Sequence, residues 1–224
     1  MKIRGIIFDF DGLILDTETP EVMAWENVFK QFGHTFPLDR YLGMIGKASN
    51  NHFVHGFLRE YGLTEDQLQT ALHKHHATLA RTGYLDKPRA GILDFIQSAQ
   101  QAELRLGVAS NSFASWVCGN LSRLNMKHLF DPICTRDNVT NGKPDPELYN
   151  LVLQKWEFTP QEALVLEDSP NGILAAKRAG LLCIVVPNPI TSKMDLSKAD
   201  MIFPSFEDFT LQEILSKFEN YLED

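Results

Sequence analysis

"IIFDFDGLILDTET", residues Ile6–Thr19, begins as a buried strand and ends in acids. Ile6, Ile7 and Phe8 make a continuous apolar run, the pattern of a strand covered on both faces. Asp9 and Asp11 stand where that strand should end, with Gly12 to permit a sharp turn out of it. Side chains at i and i+2 of an extended segment point the same way, about 6.6 Å apart. The spacing predicts that Asp9 and Asp11 face one ligand. Two ionised carboxylates in a partly buried cleft are costly unless a cation or a proton intervenes. The competing reading has one Asp capping a turn and the other in water, a setting that suits Asp.

The rest of the chain says which sheet this strand belongs to. After Thr17 the texture turns helical: "ETPEVMAWENVFKQFG" carries Val22, Trp25, Val28, Phe29 and Phe32 at helical spacing, and Gly33 sits where a helix-ending glycine belongs. "NNHFVHGFLREYG" and "EDQLQTALHKHHATLART" also predict helices. Beyond Pro88, strands such as "LRLGVAS", "FDPICT", "EALVLED" and "LCIVVP" alternate with helices of about ten residues. That alternation predicts an α/β fold with a mostly parallel, doubly wound, Rossmann-like sheet. The first strand belongs with it. Residues 1–16 and 85–224 are therefore expected to form the core, and 17–84 an inserted helical cap. Ligands of such sheets bind beyond the carboxyl ends of the strands, where the insert would overhang.

A second acidic pair supports the ligand reading. "LVLEDSPNG" is again a strand, ending in Glu167 and Asp168. Carboxylates from two strand ends, with no His or Cys beside them, suit a hard cation such as Mg²⁺. Asp168 is also placed to cap the helix that starts near Pro170. "VASNS" offers Ser110 and the amides after it as an anion cradle, or Ser110 as a simple N-cap. "NGKPDPELY" fixes Lys143 between Gly142 and Pro144, an odd setting for a solvated lysine. A held cation there would neutralise the carboxylates or bind phosphate among them.

Bulk properties narrow the class. The chain has 224 residues and a net charge of −8, from 21 basic and 29 acidic residues. That balance disfavours nucleic acid and anionic lipid as partners. Apolar content of 44% is globular. Cys118, Cys134 and Cys183 are scattered and odd in number, which argues for a reducing compartment. The short apolar start is unlike a signal peptide, and no run approaches the roughly 20 residues of a membrane span. The expectation is a soluble, cytoplasmic protein, taken as a monomer.

"DFDGLILDT", "VASNS", "GKPDPELY" and "LEDSPNGILAAKRAG" together resemble, in order and spacing, the four motifs of the haloacid dehalogenase superfamily. The helical insertion resembles the small cap of its β-phosphoglucomutase-like branch. The resemblance implies that Asp9 is a nucleophile forming an aspartyl-phosphate. A carboxylate with a reference pKa of about 3.9 needs no base for this. It implies that Asp11 is the general acid and then the base. It implies Mg²⁺ on Asp9, the backbone carbonyl of Asp11 and Asp168, with Glu167 beside it or through water. Phosphate would meet Ser110, Asn111 and Lys143. A phosphate dianion with Asp9, Glu167 and Asp168 sums to about −5, and Mg²⁺ with Lys143 brings this to about −2.

The implied activity is Mg²⁺-dependent hydrolysis of a small phosphomonoester, a sugar phosphate or similar metabolite. Within the cap, "MIGKASNN" carries Lys47, which either meets an anionic substrate group or stays solvated. Sugar-phosphate mutases of the β-phosphoglucomutase type carry a cap histidine a few residues after the D-T pair. Glu21 stands at that position here, which favours a phosphatase. Asp16 or Thr17 is expected to cap the first cap helix, and the cap aromatics to form its core. The cap histidines have no completing Cys or Glu and suit a helix surface better than a metal. A receiver-type signalling module shares the acids, Ser and Lys. It lacks the insertion and needs an acceptor Asp where Ser110 stands.

Overall fold

The computed structural model describes residues 2–45 and 50–221. Its described strands are β1 (Gly5–Phe8), β2 (Arg105–Ala109), β3 (Ile133–Cys134), β4 (Ala163–Glu167), β5 (Leu182–Val185) and β6 (Met201–Ile202). They form one parallel sheet in the order β3-β2-β1-β4-β5-β6. This is the doubly wound, Rossmann-like α/β arrangement. The order in which strands are added reverses at β1, so β2 lies on one side and β4 on the other. The crevice such a reversal opens lies beyond the ends of β1 and β4, where the two acidic pairs are.

Both faces of the sheet are covered, which is why its central strands are mostly apolar. Ile6 and Phe8 of β1, with Leu164 and Leu166 of β4, join one core with Phe95 and Ile96 of helix α5 (Ile92–Gln101) and Ile214 and Phe218 of α9 (Leu211–Tyr221). Ile7 and Val165, one residue out of phase, face the other side. There they meet Tyr149 and Val152 of α7 (Glu147–Trp156) and Ile173 and Ala176 of α8 (Pro170–Arg178). The remaining core helix, α6 (Ala114–Arg123), follows β2 and packs Val117 and Leu121 on the first face.

Between β1 and α5 the chain makes α1 (Glu18–Gln31), α2 (Leu38–Leu42), α3 (Asn50–Glu60) and α4 (Glu65–Leu79). These helices have their own core: Trp25 and Phe29 of α1, Tyr41 of α2, Phe57 and Leu58 of α3, Leu68 and Ala71 of α4. Ile190, from the loop after β5, also belongs to it and ties the helices to the sheet. Thr64 and Gln67 close a reciprocal capping box at the start of α4. Gly33 takes φ +78° after α1, as a helix-ending glycine should. Among the described residues, no helix is long and apolar enough to cross a membrane.

Two local expectations need correction. The first strand stops at Phe8, so Asp9 and Asp11 are not on one extended edge. Gly12, at φ +80°, turns the chain so that its amide donates to the Leu15 carbonyl (2.7 Å). Helix α8 is capped by Ser169, whose Oγ accepts from the Gly172 amide (3.2 Å), and this leaves Asp168 free of that role. Of the two residues expected to cap α1, Asp16 does so: its carboxylate accepts from the Thr19 amide (3.0 Å), while Thr17 makes no side-chain cap bond. The short α2 and β6 escape the sequence reading because five and two residues are too few to show a period.

Candidate active site

Beyond the ends of β1 and β4, Asp9, Glu167 and Asp168 come together, each buried. One oxygen from each lies within 4.8 Å of the others. Lys143 reaches in from the loop before α7 and donates to Asp9 Oδ1 (2.5 Å) and Glu167 Oε1 (2.6 Å). Tyr149 on α7 adds its hydroxyl to the same Glu167 oxygen (2.6 Å). The other Glu167 oxygen accepts from the Asp168 amide (3.1 Å). Asp168 Oδ2 accepts from Asn188 Nδ2 (2.8 Å), in the loop after β5.

Small residues let these groups approach. A Cβ on Gly172 would fall 1.8 Å from Glu167 Cδ, so only glycine leaves room for that carboxylate. A Cβ on Gly12 would fall 2.1 Å from Asp168 Oδ2. Lys143 is fixed from behind: its amide donates to Asn111 Oδ1 (2.7 Å), and Asn111 Nδ2 donates back to its carbonyl (3.0 Å). Gly142 admits Asn111 by having no Cβ, which would sit 2.4 Å from Asn111 Oδ1. The lysine is therefore held at both ends.

The electrostatics ask for another cation. Burial raises Asp9 to about 8, against the pull of Lys143 and with the push of Glu167. Burial, then Asp9 and Glu167, raise Asp168 well above the ordinary carboxylate range. Burial opposes the charge on Lys143, but Asp9 and Glu167 outweigh it and hold the ammonium protonated. Three buried carboxylates cluster beside one ammonium, which bonds Asp9 and Glu167 and leaves Asp168 without it. An all-oxygen set with excess negative charge fits a hard divalent cation.

Asp11 has separate company. Its Oδ2 accepts from Ser112 Oγ (2.6 Å) and Ser110 Oγ (3.4 Å), and its Oδ1 from Trp116 Nε1 (2.8 Å). The Asp11 carboxylate is not part of the three-acid cluster. Burial raises its pKa, while Ser112, Trp116 and Ser110 lower it. The two aspartates of "DFD" thus serve different surroundings, one on the cation side and one on α6.

A family model described as haloacid dehalogenase-like hydrolase matches residues 6–186 of this chain. The chain belongs to the haloacid dehalogenase-like hydrolase family. Among relatives of this hydrolase, YhcW of Bacillus subtilis is 36% identical over 219 residues, 95% of this chain and 96% of that protein. The phosphorylated carbohydrates phosphatase of Thermotoga maritima is 29% identical over 180 residues, 80% of this chain and 82% of that protein. The crystal structure of CbbY from Rhodobacter sphaeroides in complex with phosphate superposes with a TM-score of 0.69 at 28% identity. It covers 96% of this chain and 99% of that one.

In this hydrolase, Asp9, Lys143, Glu167 and Asp168 are brought together, whereas Ser110 contacts Asp11, outside that cluster. Asn111 clamps the Lys143 backbone. Lys47 lies outside the described residues. Glu21 is turned into its own helices: its Oε1 accepts from Trp25 Nε1 (2.9 Å) and lies 3.2 Å from His75 Nε2. His75 is buried and stacked on Trp25, with centroids 4.0 Å apart, whereas His73 and His76 are exposed. Sequence reasoning missed Ser112, Trp116, Tyr149 and Asn188. "ASNSFASW" held a signal for two of them, since Ser112 and Trp116 flank the start of α6.

Arg89 was missed as well. It donates to the carbonyls of Gly12 (2.9 Å), Val186 (2.7 Å) and Pro187 (2.7 Å). It thereby ties the turn after Asp11 to the loop that carries Asn188, and Asn188 Nδ2 also reaches the Gly12 carbonyl (3.3 Å).

Proposed function

We propose that the protein is a Mg²⁺-dependent phosphatase that hydrolyses a small phosphomonoester, by class a sugar phosphate, through an aspartyl-phosphate on Asp9. The observation that carries this is the division of labour within "DFD". Asp9 sits on Lys143 beside Glu167 and Asp168, while Asp11 is held apart by Ser112 and Trp116. Paired carboxylates in different surroundings are how one site keeps a nucleophile and an acid. The relative named for phosphorylated carbohydrates supports the substrate class.

The Asp9 carboxylate attacks phosphorus, and the bond from phosphorus to the leaving oxygen breaks. Asp11 gives its proton to that oxygen. Asp11 then takes a proton from water, whose oxygen attacks the aspartyl-phosphate. The phosphorus–Asp9 bond breaks, phosphate leaves, and both aspartates return to their first state. Lys143 holds Asp9 in line and takes part of the charge of the phosphoryl oxygens. Ser110 and the neighbouring amides at the start of α6 would cradle the same oxygens. Asp9, Glu167, Asp168 and the Asp11 carbonyl would hold Mg²⁺, which supplies electrostatic stabilisation of the phosphoryl group when bound.

We assign residues 1–16 and 85–224 to the core and 17–84 to a cap over the site. The engagement of Glu21 with Trp25 and His75 supports hydrolysis over sugar-phosphate mutation, because no side chain from that position is left to restrain Asp11. The test is Asp9→Asn. The variant is expected to fold and to lose phosphate release from a panel of sugar phosphates with Mg²⁺. Activity above roughly a hundredth of wild type would refute the role of Asp9.

A further inference from the structure

Trp116 touches the acid and is still open to solvent. Its indole N–H donates to Asp11 Oδ1 at 2.8 Å, yet the residue is 40% exposed. The other two tryptophans are buried and bonded inside the fold, Trp25 to Glu21 and Trp156 to the Asp131 carbonyl. Among the described residues, no other aromatic ring is recorded against Trp116. Phe113, one turn earlier and 61% exposed, is the most exposed large apolar side chain described. Two exposed aromatics thus stand at the start of α6, and one of them donates the hydrogen bond to the acid.

The leaving oxygen has to come within hydrogen-bond reach of Asp11 to receive its proton. The carbon skeleton on that oxygen then lies near the groups that hold Asp11, and of these the Trp116 ring is the one with an exposed apolar face. An indole face is electron-rich and attracts the polarised C–H groups on the flat side of a sugar ring. An acyclic polyol presents no such flat side. We propose that Trp116 is a specificity-determining residue of this site: its ring is a platform for the leaving group, selecting cyclic sugar phosphates over acyclic ones. This rests on the phosphatase reading above.

The experiment compares wild type, Trp116→Leu and Trp116→Phe with glucose 6-phosphate, ribose 5-phosphate and sn-glycerol 3-phosphate. kcat, which loss of the Trp116 hydrogen bond to Asp11 lowers for every ester alike, is read apart from KM. Removing about 50 Å² of apolar contact should raise KM for the two cyclic esters roughly tenfold in Trp116→Leu. KM for glycerol 3-phosphate should change by less than about twofold, and Trp116→Phe should keep KM for the cyclic esters within about threefold of wild type. Equal changes for cyclic and acyclic esters in Trp116→Leu would overturn the inference and leave the phosphatase reading standing. No phosphate release by wild type from any ester would remove both.

A second readout needs no turnover. In Asp9→Asn with Mg²⁺, glucose 6-phosphate should shift the emission of the single exposed tryptophan saturably. The shift should be absent in the Asp9→Asn, Trp116→Phe double variant. Calorimetric binding without any change in emission would overturn the platform.

Discussion

Replacing Lys143 with methionine would remove the ammonium from between Asp9 and Glu167 while keeping most of the side-chain volume. The lysine side chain is 4% exposed and that of Glu167 0%. Leaving buried carboxylates without their partner costs about 3–5 kcal/mol. For a chain of 224 residues, each kcal/mol lowers the thermal midpoint by about 2 °C, so the expected loss is roughly 6–10 °C at neutral pH.

The loss should depend on pH in a set direction. Burial already raises Asp9 from 3.8 to about 8. A carboxyl raised in the folded state binds its proton more tightly there than in the unfolded chain. The stability it lends is present below the unfolded pKa and is lost as pH rises towards the folded one. Lys143 already holds that folded value down in wild type, so in Lys143→Met Asp9 stays protonated to higher pH. Below about pH 8 Asp9 is protonated in both folded proteins and the gap between them is level; it should widen as pH rises above about 8. Urea unfolding at about pH 6 and about pH 9.5, without added metal, measures it. A deficit below about 1 kcal/mol at the higher pH would refute the buried-pair reasoning, as would an equal deficit at both values.

Asn188→Ala removes the donor that orients Asp168 Oδ2. Mg²⁺ affinity, read by calorimetry, should fall about 10- to 100-fold, and unchanged affinity would make the contact incidental. Gly172→Ala puts a methyl 1.8 Å from Glu167 Cδ. It should cost about 1–3 kcal/mol in urea unfolding, and a neutral result would mean that Glu167 has room to move. Glu18, in the first turn of α1, is raised to about 8 by burial, with Asp11 and Glu21 adding to it. Its ionisation disfavours the fold as pH rises, so Glu18→Gln should gain thermal midpoint over wild type at pH 9 and not at pH 5. A constant difference across that range would show Glu18 to be solvated.

Much of the site could be read before any coordinates. The acids that end β1 and β4, the Gly–Lys–Pro lock and the order of the four motifs are local in the chain, and each implies a strand end or a loop. Alternating strands and helices implied the parallel sheet, because such connections leave no other economical arrangement. The helices of 17–84 showed their buried stripe through Trp25, Val28 and Phe29, which the structure does pack together.

Partnerships across elements were not legible. An i, i+2 spacing suggested that Asp9 and Asp11 share one ligand, but the strand ends at Phe8 and the Gly12 turn parts them. Asp168 and Ser169 both suit an N-cap, and only packing against Asn188 and Glu167 assigns the cap to Ser169. Tyr149, Asn188 and Trp116 lie 18, 20 and 105 residues from the carboxylates they hold. Periodicity reports which face of an element is buried, and motif spacing reports what one loop presents. By itself the sequence determined the sheet, the family resemblance and the acids at the strand ends. Which donor meets which oxygen was decided by the tertiary structure, because hydrogen bonds between separate elements depend on how those elements are stacked.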